Sequence, residues 1–129
     1  SAAPAAEPVD IIIRNARVFD GRSANLRDGA QVHVRGNRIV AVLGRDEAPA
    51  DAGGARVIDA GGRVLLPGLI DAHVHPTIAV SIAALRDHDP NYVGARAGAE
   101  ARQMLLRGFT TIRDMGGPAF GLRQAIDEG

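Results

Sequence analysis

Up to Leu66 the apolar residues come in short bursts between turn residues; beyond Pro67 they come in longer, more regular stretches. Ile11, Ile13, Ala16 and Val18 make the first burst, closed by Asp20-Gly21. After Asp28-Gly29, Val32 and Val34 alternate with Gln31, His33 and Arg35, the period of a strand with one polar face. On that alternation His33 is a surface side chain. Gly36-Asn37 is a two-residue hairpin signal leading into the apolar run at 38–43. Residues 46–54 form a polar loop containing proline and glycine. Val57-Ile58 and Val64-Leu65-Leu66 then flank the turn Asp59-Ala60-Gly61-Gly62. Short strands at this spacing predict a small β-sandwich over residues 9–66.

The grammar changes at Pro67-Gly68. Residues 69–75 read as a buried strand stopped by Pro76, and 77–89 as an irregular or partly helical loop. Asp89-Pro90 supplies a helix N-cap followed by proline at the first helical position. Val93, Ala97, Ala101, Met104 and Leu105 recur as one apolar stripe, which predicts a helix over 91–107. Arg107-Gly108 ends it with a cation near the negative end of the dipole and a glycine beyond. Phe109-Thr110-Thr111-Ile112 is the next strand, and 118–128 a short helix. Strand, helix, strand in this order predicts a right-handed βαβ unit with parallel pairing.

Candidate chemistry gathers at the end of the 69–75 strand. His73 and His75 are two residues apart, so they project from the same face while Val74 points away. Two neutral imidazoles converging from a strand end are half of a metal site for zinc or another borderline divalent ion. Asp71 shares that face one step deeper, either orienting a ligand or making a structural hydrogen bond. Arg113 and Asp114 end the second strand, and alternation lets at most one of them face the site. Arg113 could clamp a substrate carboxylate with its planar fork, although an ion pair or a loop-fixing hydrogen bond is the stronger reading. Gly116-Gly117 allows a tight turn beside the site. His88 lies in the loop before the helix, as an exposed side chain or as one that reaches substrate.

Composition narrows the field. Fifteen basic and fifteen acidic residues cancel across 129 positions, so nothing favours a nucleic-acid partner or an acidic membrane surface. No apolar run approaches the roughly 20 residues needed to span a bilayer. Cysteine is absent, which removes disulfides and thiolate ligands. Every basic residue is arginine; lysine is absent. Residues 1–8 are small, Pro-bearing and without periodicity, and are expected to be a flexible tail. They read as the mature end left by a signal peptidase, with a periplasmic or secreted location, or else as a cloning remnant or an ordinary cytoplasmic N-terminus.

The run Leu66-Pro67-Gly68-Leu69-Ile70-Asp71-Ala72-His73-Val74-His75 resembles the first barrel strand of the metal-dependent amidohydrolase superfamily. Asp10-Ile11-Ile12-Ile13-Arg14-Asn15-Ala16-Arg17-Val18-Phe19-Asp20-Gly21 is similar to that superfamily's opening strand. Gly108-Phe109-Thr110-Thr111-Ile112-Arg113-Asp114-Met115-Gly116-Gly117 resembles its second barrel strand, in the imidazolonepropionase-like branch that includes Xaa-Pro dipeptidases and related carboxypeptidases. The resemblance implies an α/β fold: a composite β-sandwich domain over 9–66, then the first βα units of a (β/α)8 TIM-type barrel over 67–129. A whole barrel takes about 250 residues. The chain is therefore expected to be an N-terminal part, completed by a longer parent or a second chain.

The resemblance further implies a divalent metal, zinc by preference and binuclear in the complete enzyme, with His73 and His75 on one ion. A carboxylated lysine or a glutamate, two further histidines and a proton-shuttling aspartate would come from later strands outside this chain. The implied reaction is hydrolysis of an amide or peptide C–N bond by a metal-activated water, on a dipeptide, an N-acyl amino acid or a related amide. A metallopeptidase of the dipeptidase or carboxypeptidase kind fits that description. The alternatives are a deaminase or cyclic-amide hydrolase on the same scaffold, or a non-catalytic assembly or binding module if the chain acts alone. Expected partners are the small-molecule substrate, the rest of the barrel and further copies in a homo-oligomer.

Overall fold

The computed structural model describes residues 9–49, 53–78 and 87–129. They fall into two compact units, Ser1–Pro67 and Gly68–Gly129. The tail expected at 1–8 lies outside the described residues, as do 50–52 and 79–86 of the two expected loops.

In the first unit β1 (Asp10–Val18), β2 (Arg27–Arg35), β3 (Arg38–Leu43), β4 (Arg56–Asp59) and β5 (Val64–Leu65) belong to one mixed sheet. The order is β3-β2-β1-β4, with β5 also on β1. β2 pairs antiparallel with β1 and β3, whereas β4 and β5 run parallel to β1. Among the described residues these strands form a single layer, not the two facing sheets that the strand spacing suggested. Spacing reports strands and turns; it does not say which strands share a sheet. The hairpin forms where the pattern put it, with Arg35 paired to Arg38 and Gly36 at φ 58°.

One residue of β1 organises this sheet. Asn15 adopts φ 56°, in the left-handed region that asparagine enters more easily than most residues. Across it the pairing with β2 slips: Ile13 faces Val32, but Ala16 faces Ala30. Three steps of β1 thus match two of β2, a bulge that returns Ile13 and Ala16 to one face despite their odd spacing. The core follows from it: Ala16, Val18, Ala30 and Val32 are buried, with Ile13, Val34, Ala60 and Leu65 against them. The bulge also divides the neighbouring edge. β4 pairs with residues 11–14 and β5 with Arg17 and Val18. The 59–62 turn fits between, its Ala60 N–H on the Arg14 carbonyl at 2.9 Å and its Gly62 N–H on the Asn15 carbonyl at 2.8 Å. The Asn15 side-chain amide donates to Asp59 Oδ1 at 3.2 Å.

On the other face the expectation for His33 is overturned: the side chain is 3% exposed. β2 lies between β1 and β3, so His33 sits opposite Ile12 on one side and Ala41 on the other. Gln31, two residues away on the same face, donates to the carbonyls of Arg45 and Glu47 at 3.0 and 2.9 Å, drawing that loop over the sheet. His33 Nε2 donates to Asp10 Oδ1 at 3.0 Å. Arg35 forks onto the same carboxylate, Nε to Oδ1 at 2.9 Å and an Nη2 nitrogen to Oδ2 at 3.2 Å. The Arg35 hydrogen bond, helped by His33 against some desolvation, holds the Asp10 carboxyl below the usual carboxylate range.

The second unit is a βαβ unit with a following helix. β6 (Leu69–Val74) and β7 (Phe109–Asp114) are parallel. A 3-10 turn at Pro76–Ile78 and the helix α1 (Pro90–Leu106) lie between them, and α2 (Ala119–Glu128) follows. Asp89 caps α1, accepting from the Asn91 N–H at 2.8 Å, and Pro90 opens the helix. Ala97 and Met104 are buried, and Val93 and Ala101 half-buried. Leu105 departs from the predicted stripe at 58% exposed. At 3.6 residues per turn it lies roughly 85° round the helix from the middle of the other four. The strand expected to be buried is also more open: Ile70 is 71% exposed, in a sheet that has two strands among the described residues. Gly68 is fixed by closeness: a Cβ there would run into the Thr110 side chain. No helix among the described residues is long and apolar enough to cross a membrane.

Two outcomes are expected in the intact protein. Asn15→Val places a β-branched residue in the left-handed region and should cost about 1–2 kcal/mol, while Asn15→Gly is close to neutral, both read by denaturant unfolding. Because the Asp10 carboxyl is depressed in the fold, its contribution is complete above the unfolded-state value and is lost as pH falls through the lower folded value. Asp10→Asn should therefore flatten the acid limb of the stability–pH profile; an unchanged limb would contradict this account.

Candidate metal centre

The candidate site is the shared end of β6 and β7. The His73 and His75 side chains come together where β6 ends, and Pro76, with no N–H to donate, stops the ladder. Their rings meet edge to face, centroids 5.3 Å apart and planes at 81°. A zinc–nitrogen bond of 2.0–2.1 Å puts an imidazole centre about 3.2 Å from the ion, so two rings on one tetrahedral ion have centres about 5 Å apart. The observed separation suits a shared ion, and the donors are the borderline nitrogens zinc prefers. Two ligands are half a site: among the described residues no group of three or more His, Asp or Glu side chains is placed to hold a metal.

His75 is the more constrained ring. Its Nδ1 lies 3.0 Å from the Gly116 carbonyl and 3.6 Å from Asp114 Oδ1. The Asp114 carboxylate accepts the Gly116 N–H at 2.9 Å on Oδ1 and approaches the Thr77 hydroxyl at 3.5 Å on Oδ2. Thr77 is buried, 4% exposed. The strand end also borders an open cavity of about 450 Å³ lined by Val74, His75, Pro76, Glu100 and Met104.

The other candidates take local tasks. Asp71 Oδ1 accepts the His73 backbone N–H at 3.2 Å, so it steadies the strand and not the ring. Arg113 Nε donates to the Ala72 carbonyl at 2.9 Å, lashing β7 to β6. His88 packs on Tyr92 with ring centroids 4.9 Å apart at the start of α1, and no described contact joins it to the histidine pair. Asp114, Thr77 and the Gly116 carbonyl are the residues the sequence reading did not single out as a group. The available signal was Asp114 two residues before a glycine N–H at a strand end, the spacing of an Asx turn.

A short parallel sheet with a crossover helix and a His-x-His pair at its strand ends is a βα-built site of the kind that uses the carboxyl ends of its strands. The model of the Amidohydrolase family matches residues 64–129, just over half of the chain, and the chain belongs to that family. An imidazolonepropionase of Anaeromyxobacter dehalogenans is 35% identical over 79% of this chain and 32% of its own length. An adenine deaminase of Mesorhizobium japonicum is 41% identical over 54% of this chain and 11% of its own length. The crystal structure of a prolidase complexed with N-methylphosphonate-L-proline matches at a TM-score of 0.81 and 30% identity, over 94% of this chain and 29% of that one. The chain thus spans about a third of the length of the first of these relatives.

The two adjacent glycines separate by substitution. Gly117 sits at φ 142°, and a Cβ there would meet the Thr77 hydroxyl, so Gly117→Ala should cost about 1–3 kcal/mol. Gly116→Ala places its Cβ in ordinary contact with His75 Cε1 at 3.9 Å and should be tolerated. Thermal unfolding of both variants checks the contrast.

Proposed function

We propose that this chain is the N-terminal part of a metal-dependent hydrolase that cleaves an amide or peptide C–N bond, with His73 and His75 holding one divalent ion, zinc by preference. The observation that carries this is the pair of imidazoles 5.3 Å apart at the end of β6. Likeness to a prolidase supports a dipeptide or N-acyl amino acid as substrate. When bound, a divalent ion would lower the pKa of a water toward about 7 and polarise the scissile carbonyl. The remaining ligands, a second ion and the proton-shuttling aspartate are assigned to later strands of a complete barrel. Around that site this chain's own part is mechanical: Asp71 fixes the His73 backbone, and Arg113 fixes the pairing of β6 with β7.

The architecture extends in the same way. The open strand β6, with Ile70 exposed, and α2, with Phe120 86% exposed, present apolar surface that further βα units of a barrel would cover. The first unit's sheet is read as one layer of a composite sandwich. Its apolar face, with Ile39 and Val42 beside a cavity of about 350 Å³, would receive the second layer. A deaminase is the second reading, favoured by the match to an adenine deaminase.

In the intact protein, His73→Ala and His75→Ala should each weaken zinc binding by at least about 100-fold, beyond what outer residues of metal sites cost. Hydrolysis should fall with it. Bound metal after dialysis and turnover of Xaa-Pro dipeptides, N-acyl amino acids and adenine provide the check. Full metal retention in both variants would refute the metal site, and ammonia release from adenine without peptide cleavage would move the assignment to the deaminase.

A further inference from the structure

We infer that Asp114 is a positioning residue for His75, fixing the imidazole hydrogen on Nδ1 so that Nε2 is the nitrogen offered to metal. This rests on the metal-site reading above and deepens it. The carbonyl of Gly116 carries no hydrogen, so its 3.0 Å contact with His75 Nδ1 is a hydrogen bond only if that nitrogen donates. A neutral ring then has its lone pair on Nε2, the form that binds a metal.

The Gly116 carbonyl stands there because of Asp114. Oδ1 accepts the Gly116 N–H at 2.9 Å, which closes the turn and sets the orientation of that residue. The carboxylate is itself immobilised. It is 11% exposed, Thr77 approaches its second oxygen, and Gly117 leaves room for the Thr77 hydroxyl where a Cβ would not. At 3.6 Å from Nδ1 the same Oδ1 is too far for a good hydrogen bond, yet its charge still favours a hydrogen on the near nitrogen. One aspartate therefore acts on His75 twice, through the carbonyl it places and through its own charge. His73 has no such hydrogen bond among the described residues, where its ring makes an edge-to-face contact with that of His75.

The test uses the intact protein, zinc competition against a chromophoric chelator, and ¹⁵N shifts of the histidine rings in the metal-free form. The wild type is expected to show His75 as the Nδ1–H tautomer. Asp114→Ala should lower zinc affinity 10–100-fold and mix the two tautomers. Asp114→Asn keeps an oxygen for the Gly116 N–H but removes the charge, and should lose a smaller but measurable part of the affinity, about 3–10-fold. If the alanine variant fails to fold, the asparagine variant decides, since an unaltered tautomer with unaltered zinc affinity overturns the inference. A wild-type ring protonated on Nε2 overturns it directly. Undiminished zinc binding by His75→Ala is a different failure, because it removes the metal-site reading on which Asp114's role depends.

Discussion

Parallel strands can be joined only by a crossover that carries the chain back over the sheet, and this brings both carboxyl ends to the same edge. The second unit depends on that constraint. β6 delivers His73 and His75, and β7, about forty residues later, delivers Asp114 and Gly116 to the same place. The Met115 N–H reaches the Val74 carbonyl at 3.1 Å, so the ladder continues to the last residue before the turn. Each device along the crossover serves the alignment. Asp89 and Pro90 start α1 cleanly, Gly68 lets Thr110 approach, and Arg113 ties its strand to Ala72. A slip of one residue between the strands would flip one set of side chains to the other face and part His75 from Gly116.

The first unit answers a different demand. β1 has an antiparallel neighbour on one side and parallel neighbours on the other, and its pairing with β2 breaks at Asn15. The extra residue moves the core face from Ile13 onto Ala16 and Val18, and it opens the gap that the 59–62 turn fills. Asparagine suits the place because it tolerates the left-handed region and its amide can bond Asp59. Burial on this face follows from the slip at Asn15 more than from the hydrophobicity of any one strand.

Much of this was legible because the signals were local. The Gly36-Asn37 hairpin, the Asp89-Pro90 cap, the end of α1 at Arg107-Gly108 and the facing of His73 and His75 each depend on a few neighbouring residues. What was not legible depended on neighbours in space. His33 alternates like a surface residue, but its ring is buried on the sheet and bonded to Asp10 of the neighbouring strand. Leu105 belongs to the stripe by spacing and leaves it by angle. The odd step from Ile13 to Ala16 is accounted for by the pairing with β2, where the register shifts. Asp114 could be seen at a strand end, but its partners Thr77 and His75 lie far away in sequence and are joined to it only by the parallel register.

The two histidine–aspartate contacts in this chain show how setting decides what such a pair can do. His33 and Asp10 meet at 3.0 Å inside the sheet, and the Arg35 fork supplies the positive charge that a carboxylate in partial burial needs. The ring is 3% exposed and its Nε2 is spent on Asp10, so a metal has no approach to that nitrogen. His75 and Asp114 meet more loosely, at 3.6 Å, at an open strand end, and the bond is made by a backbone carbonyl that the carboxylate holds in place. There only Nδ1 is engaged, and no arginine takes up the carboxylate's charge in the described contacts. The first arrangement spends a histidine on holding strands together. The second leaves one nitrogen unspent, which is the physical requirement for a ligand.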